Sequence, residues 1–246
     1  MTSLHSTIRD DRIVVAQGPP KLNHAELLAA QQETIATPHM RYGLLARMLF
    51  TPVDLLYGRQ GSFTKFAMLE IIARVPYQAW ERMGYWAVHR YAGRSALARR
   101  VFERIVDARA DQDNEQWHLL IMQDLIQRNG LKQNWLLHKA APWLMAFFFY
   151  HVSWLLFVIK PKWSYRLNAE FEDHAEHEYM SFVAAHPELE QMPDPGTYAL
   201  EYGRYLSAAD LLRQIGHDER VHKDASIANA GHARISERGR GLDTAA

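Results

Sequence analysis

Apolar residues recur at helical spacing along most of this chain, and none of its long periodic stretches shows the strict alternation of a strand. In residues 38–57, Met40, Leu44, Leu45, Met48, Leu49, Phe50, Leu55 and Leu56 follow that spacing with Arg41, Arg47 and Arg59 beside them. This pattern fits either a basic amphipathic helix lying on a membrane surface or an ordinary core helix. A second helix is predicted over residues 63–90, interrupted by Pro76, and a third over 95–128, ended by Asn129-Gly130. The fourth, residues 135–159, is the most apolar part of the chain and lies between Lys139 near its start and Lys160 at its end. By length and composition it qualifies as a membrane-spanning candidate. A fifth helix over 163–185 is stopped by His186-Pro187, and a Pro-rich loop from Met192 leads to a sixth over 197–229. Residues 1–37 lack a core-sized apolar run and read as an N-terminal tail, without the features of a secretory signal peptide. Residues 231–246 read as a flexible Gly- and Arg-rich C-terminal tail. The pattern predicts an all-α protein in which residues 38–230 form one helical bundle domain.

Composition narrows the chemistry. The chain has 246 residues, 48% of them hydrophobic, with 28 basic against 28 acidic side chains. Zero net charge speaks against a nucleic-acid partner, which needs a basic surplus on at least one face. With no cysteine and 13 histidines, thiol catalysis and Cys-ligated metals are excluded, and a metal must sit on His and carboxylates.

Two Glu-x-x-His pairs supply such groups: Glu115 with His118 on the third helix, and Glu219 with His222 on the sixth. An i, i+3 spacing places both side chains on one helix face, where they can serve one ion or sit exposed as an ordinary pair. A four-helix bundle that holds two metals needs one more Glu from each of its other two helices. Glu70, set among Ala67, Met68, Leu69, Ile71 and Ile72, is costly to bury unless it is paired or bound to metal. Glu172 is the other candidate, although Asp173, His174, Glu176, His177 and Glu178 crowd the same two turns and are expected to face solvent or to support the ligands. Tyr179, seven residues after Glu172, falls on the same face and brings a phenol near the proposed metals.

As a set, Leu69-Glu70, Asn114-Glu115-x-x-His118, Glu172-x-x-Ala175-x-x-x-Tyr179 and Asp218-Glu219-x-x-His222 resemble the alternative oxidase family, membrane-bound di-iron quinol oxidases that include the plastid terminal oxidases. Asp54-Leu-Leu-Tyr-Gly, Val75-Pro76 and Pro161-Lys162 agree as well, so the likeness covers roughly residues 45–230. The resemblance implies a ferritin-like di-iron four-helix bundle with two additional membrane-associated helices. It implies two iron ions held by Glu70, Glu115, His118, Glu172, Glu219 and His222, a redox-active Tyr179, and Asn114 and Asp218 supporting the ligands. It also implies a quinol pocket at Lys65, Phe66, Leu69, Ala175 and Glu178, and this pocket departs from the family. Lys65 stands where the family has Arg, Phe66 where it has Ala, Glu178 where it has Thr, and Gly216-His217 where it has Arg-Ala. The family's three consecutive glutamates are Glu172-Asp173-His174, and the regulatory cysteines of plant members are absent.

The implied activity is oxidation of quinol coupled to reduction of O₂ to water without proton pumping. Insertion of oxygen into a quinone-like or other lipid-soluble substrate on the same scaffold is the alternative, and a non-catalytic membrane-associated helical protein is the rival from another class. Were residues 140–159 to cross the membrane once, ligands before and after them would be separated by about 30 Å of hydrocarbon. The expectation is therefore a monotopic protein in one leaflet, with Trp135, Trp143, Trp154 and Trp163 at interfacial depth and Lys139, Lys160 and Lys162 reaching headgroups. A homodimer interface is a compatible second use of that surface. With no cleavable signal, the expected location is the cytoplasmic face of the inner membrane if the cell is bacterial.

Overall fold

The computed structural model describes residues 18–232, and every regular element among them is helical. Seven α-helices follow in order: α1 (His24–Ala36), α2 (Leu44–Tyr57), α3 (Phe63–Arg90), α4 (Ser95–Arg128), α5 (Ala141–Ile159), α6 (Pro161–Ala185) and α7 (Ala208–Gly231). One π turn, Leu136–Ala140, leads into α5, and a short 3₁₀ turn, Pro187–Glu190, follows α6. Helices α3, α4, α6 and α7 form the bundle, α3 packing along α4 and α6 along α7. The α3–α4 contact is close, because a Cβ on Gly84 would come within 2.5 Å of Ile105 Cγ1.

Most elements stand where periodicity placed them, with two instructive differences. Helix α3 runs unbroken through Pro76, which is buried. The sixth predicted helix begins eleven positions late, as α7 at Ala208, since Gly203 adopts φ +127° and the Ser207 side chain caps the Asp210 N–H.

The tail expectation does not hold for His24–Ala36. Asn23 forms a capping box with Glu26, and Leu27, Ala30, Gln31 and Thr34 are buried as α1 packs on α6 and α7. That cover explains a second correction: Asp173, Glu176 and His177 neither face solvent nor bond to the proposed ligands, but are buried against other partners. Asp173 accepts from the Met40 N–H and the Tyr42 hydroxyl (both 2.9 Å), Glu176 accepts from the Thr34 hydroxyl and from Arg220 Nε (2.6 and 2.9 Å), and His177 reaches the carbonyls of Asp173 and Thr37. The assignments to residues 1–17 and 233–246 lie outside the described residues.

Among the described residues, Leu136–Ile159 is the one helix long and apolar enough to cross a membrane. It is largely uncovered: Trp143, Leu144, Phe147, Phe148, Leu155 and Ile159 are exposed. Leu44, Met48 and Leu55 of α2 are exposed as well, while Ala46, Phe50 and Val53 on its other face enter the core.

Candidate metal centre

Each bundle helix delivers its part of the cluster: Glu70 from α3, Glu115 and His118 from α4, Glu172 from α6, Glu219 and His222 from α7. The helical i, i+3 spacing turns each Glu–His pair inward together, and all six side chains are buried. Ligand-type atoms of Glu70, Glu115, His118 and Glu219 lie within 4.8 Å of one another, as do those of Glu115, Glu172, Glu219 and His222. Glu115 and Glu219 belong to both groups, so each carboxylate can reach two ion positions.

The hydrogen bonds show which atoms are held and which are left. Glu172 Oε1 accepts from the Tyr77 hydroxyl (2.7 Å) and from Asn168 Nδ2 (2.9 Å), whereas its Oε2 has no hydrogen-bond partner. Glu70 Oε1 accepts from the Tyr179 hydroxyl, and its Oε2 has none. His118 turns Nε2 to Asp218 at 3.3 Å and leaves Nδ1 without a hydrogen bond. Both oxygens of Glu115 and of Glu219, and both nitrogens of His222, lack one too. The contacts are nonetheless short, with His222 Nδ1 2.7 Å from Glu115 Oε1 and His118 Nδ1 3.0 Å from Glu219 Oε1. Buried polar atoms are normally satisfied. Here each of the six residues keeps at least one buried atom without a hydrogen bond, and the two that keep both oxygens are the two shared between the groups. This donor set fits a pair of ions, and four carboxylates with two imidazoles at this spacing match the bundle sites that hold iron or manganese.

Electrostatics agree. Burial raises Glu70 and Glu172 well above the usual carboxylate range, and neighbouring glutamates add to the shift. For Glu115 burial acts upward as well, but His222 and His118 outweigh it and hold the group below that range. Burial disfavours charge on His118 and His222, yet the carboxylates around each push both imidazoles well above their ordinary value. Metal-free, the histidines therefore hold protons near neutrality, and an entering ion must displace them. Metal uptake is expected to release protons and to weaken as pH falls. Calorimetric titration in two buffers of different ionisation enthalpy checks this, since the apparent heat should change with the buffer.

Support for the cluster extends beyond the sequence-predicted residues. Asp218 is fully buried and accepts from Tyr202 (2.7 Å), Gln214 (2.7 Å), Asn114 (3.3 Å) and Lys21 (3.3 Å) as well as facing His118. A carboxylate behind a ligating imidazole fixes its orientation and raises its basicity. Asp111 lies near His222 on the other side, 3.8 Å from Nε2 and beyond hydrogen-bonding distance. Sequence reasoning missed Asp111, Asn168 and Gln214, although each lies one helical turn before a named residue on its own helix, at i−4 from Glu115, Glu172 and Asp218. Tyr77, two turns after Glu70, was readable in the same way, whereas nothing in the sequence pointed to Lys21 or Tyr202.

The five residues expected to line a quinol pocket are not arranged as an open one. Phe66 stacks on Tyr179 with ring centroids 4.0 Å apart and planes 13° from parallel, and Leu69 and Ala175 are buried. Lys65 is fully buried, pairing with Asp54 at 3.0 Å and Glu178 at 3.1 Å. Of the five, Glu178 lines an open cleft of about 640 Å³, together with His39, Tyr42 and His174.

The family model for alternative oxidases matches residues 29–230. Ubiquinol oxidase 4, chloroplastic/chromoplastic, of Arabidopsis thaliana is 31% identical over 167 residues, covering 65% of this chain and 41% of that protein. The chain thus spans about two-fifths of the length of the curated relative it matches. No solved structure matches.

Proposed function

Because the chain belongs to the alternative oxidase family, we propose that it is a membrane-associated di-iron quinol oxidase, which couples quinol oxidation to reduction of O₂ to water without pumping protons. The observation that carries the reading is the six-residue cluster with its unpartnered buried atoms. Glu70, Glu115, His118, Glu172, Glu219 and His222 would hold two iron ions, which supply O₂ binding and electron transfer when present. Two quinols would give four electrons and four protons to one O₂, leaving two quinones and two waters.

The chain's own groups divide the remaining work. Tyr77 and Asn168 fix one oxygen of Glu172, and Tyr179 fixes one oxygen of Glu70, so the free oxygens keep their aim. Asp218 sets the His118 ring. Burial, reinforced by Glu70 beside it, raises the Tyr179 phenol well above its ordinary value, so it keeps its proton until it gives up a proton and an electron together. Tyr179→Phe should leave helix content unchanged, weaken iron binding by about 10–100-fold through the lost support of Glu70, and lower quinol-dependent O₂ uptake of the iron-saturated chain at least about tenfold. Oxygen electrode traces beside iron analysis check it.

Membrane attachment through one leaflet is supported by the exposed apolar faces of α2 and α5. Helices α4 and α6, which precede and follow α5, meet in one cluster, and this supports α5 lying along the membrane instead of crossing it. Oxygen insertion into a lipid-soluble substrate is the second reading, supported by the departures of Lys65, Phe66 and Glu178 from the family's quinol pocket. Mass analysis of the product decides: an oxidase returns the quinone with no added oxygen atom, and an oxygenase adds one.

A further inference from the structure

On the Tyr179 side, side chains stand between the cluster and the cleft that Glu178 lines. Phe66 covers the phenol ring, Phe182 packs edge-on against Phe66 at 5.2 Å, and Lys65 is locked between Asp54 and Glu178. On the His222 side the structure is open. A cavity of about 400 Å³ lies where α3, α4 and the start of α6 meet the ends of α5 and α7. Its walls include Trp80, Tyr91, Ile105, Phe157 and Tyr165, and it reaches Asp111, 3.8 Å from His222 Nε2.

Size and lining suit a small lipid-soluble molecule, since such sites are mostly apolar with a few placed polar groups. Asp111 supplies one such group, a carboxyl that lines the cavity beyond hydrogen-bonding distance of His222. Arg104 supplies another and is already oriented, donating to the Tyr165 hydroxyl at 3.2 Å. The rim joins the apolar surface: Phe157 lies in the last turn of α5 and Pro161 opens α6, Val158 and Ile159 between them are exposed, and Trp86 and Phe102 are exposed next in sequence to the lining residues Ala87 and Val101.

We propose that this cavity is the docking site of the lipid-soluble substrate: a hydroxyl-bearing aromatic ring rests against Trp80 and Tyr165, donates to Asp111, and trails its apolar tail past Phe157 to the membrane. The inference rests on the quinol oxidase reading and deepens it, because it brings the ring to the His222 half of the centre, away from Tyr179. Ring-to-wall contact supplies affinity, and the Asp111 carboxyl beside His222 sets orientation. A ligand whose hydroxyl is methylated loses the hydrogen bond to Asp111 and should bind more weakly.

The test is photolabelling of the iron-loaded chain in detergent with an azido-substituted ubiquinol of short tail, followed by peptide mapping. Label is expected within residues 80–91 or 101–108, suppressed by excess unmodified ubiquinol. Ala87→Trp, at a half-buried wall position, should raise KM for quinol about tenfold while iron content stays at the wild-type level. Label confined to residues 63–69 or 174–182, or an unchanged KM in Ala87→Trp, overturns the cavity assignment and leaves the quinol oxidase reading standing. Absence of O₂ uptake with any quinol overturns both.

Discussion

Glu219→Ala should remove iron and quinol-dependent O₂ uptake together while leaving the helices in place. Glu219 is buried, keeps both carboxylate oxygens free of hydrogen bonds, and belongs to both candidate ligand groups, so its loss strips a donor from each ion position. Removing merely a supporting partner of a metal ligand typically costs 10–100-fold in affinity, and a shared carboxylate should exceed about 100-fold. The metal-free fold should tolerate the change. Glu219 adds to the burial that raises Glu70 and Glu172, and it also faces His118 Nδ1 at 3.0 Å, so deleting it relieves repulsion toward two carboxyls and leaves His118 the carboxylates of Glu70, Glu115 and Asp218. Iron analysis, O₂ uptake and a thermal melt of the metal-free protein check the three parts, and a melt well below wild type would contradict the last.

Lys65→Met should destabilise the protein by about 3 kcal/mol, the low end of the cost of breaking a buried ion pair, since Asp54 is partly exposed. Lys65 is fully buried and is held by Asp54, Glu178 and the carbonyl of Arg59 at 3.2 Å. Methionine matches its shape and leaves the mostly buried Glu178 carboxylate at the edge of the cleft without its cation. Burial already raises the Glu178 carboxyl, with Lys65 opposing that shift. In the variant the carboxyl rises further, so the folded form binds the proton more tightly than the unfolded chain. The penalty is then full at neutral pH and shrinks as pH falls toward the ordinary carboxylate range. Urea denaturation at pH 7 and at acid pH measures this, and Lys65→Met with Glu178→Leu should recover most of the loss by replacing both partners with apolar groups.

The four bundle helices and the six inward side chains were legible because both follow the helical repeat. A carboxylate inside Phe66–Ile72 and two Glu-x-x-His pairs are local patterns, and the bundle template says how they must meet. Contacts between segments without periodicity were not legible. Lys21 reaches Asp218 from the stretch before α1, and Tyr202 reaches it from the loop before α7, across 197 and 16 positions of chain. Helix α1 itself was missed for a physical reason: its buried face is small and partly polar, with Gln31 donating to the Met180 carbonyl and Thr34 to Glu176. A helix held by such bonds carries little hydrophobic signal. The same omission hid the burial of Glu176, whose charge Arg220 and Lys223 balance.

The substrate side depended on volumes that a sequence does not display. Phe66 could be read as a departure from the family, but only packing shows that it lies flat on Tyr179. The cavity beside Asp111 draws on α3, α4, α5, α6 and α7 at once, and no short motif marks it.

The central claim is that six buried side chains on four helices form one site for two ions. Anaerobic titration of the metal-free chain with Fe(II), followed by Mössbauer spectroscopy after exposure to O₂, tests it most directly. The account predicts saturation at about two irons per chain and a coupled diferric signal, as the bundle site requires. Saturation at one iron, or two irons that show no magnetic coupling, would contradict it.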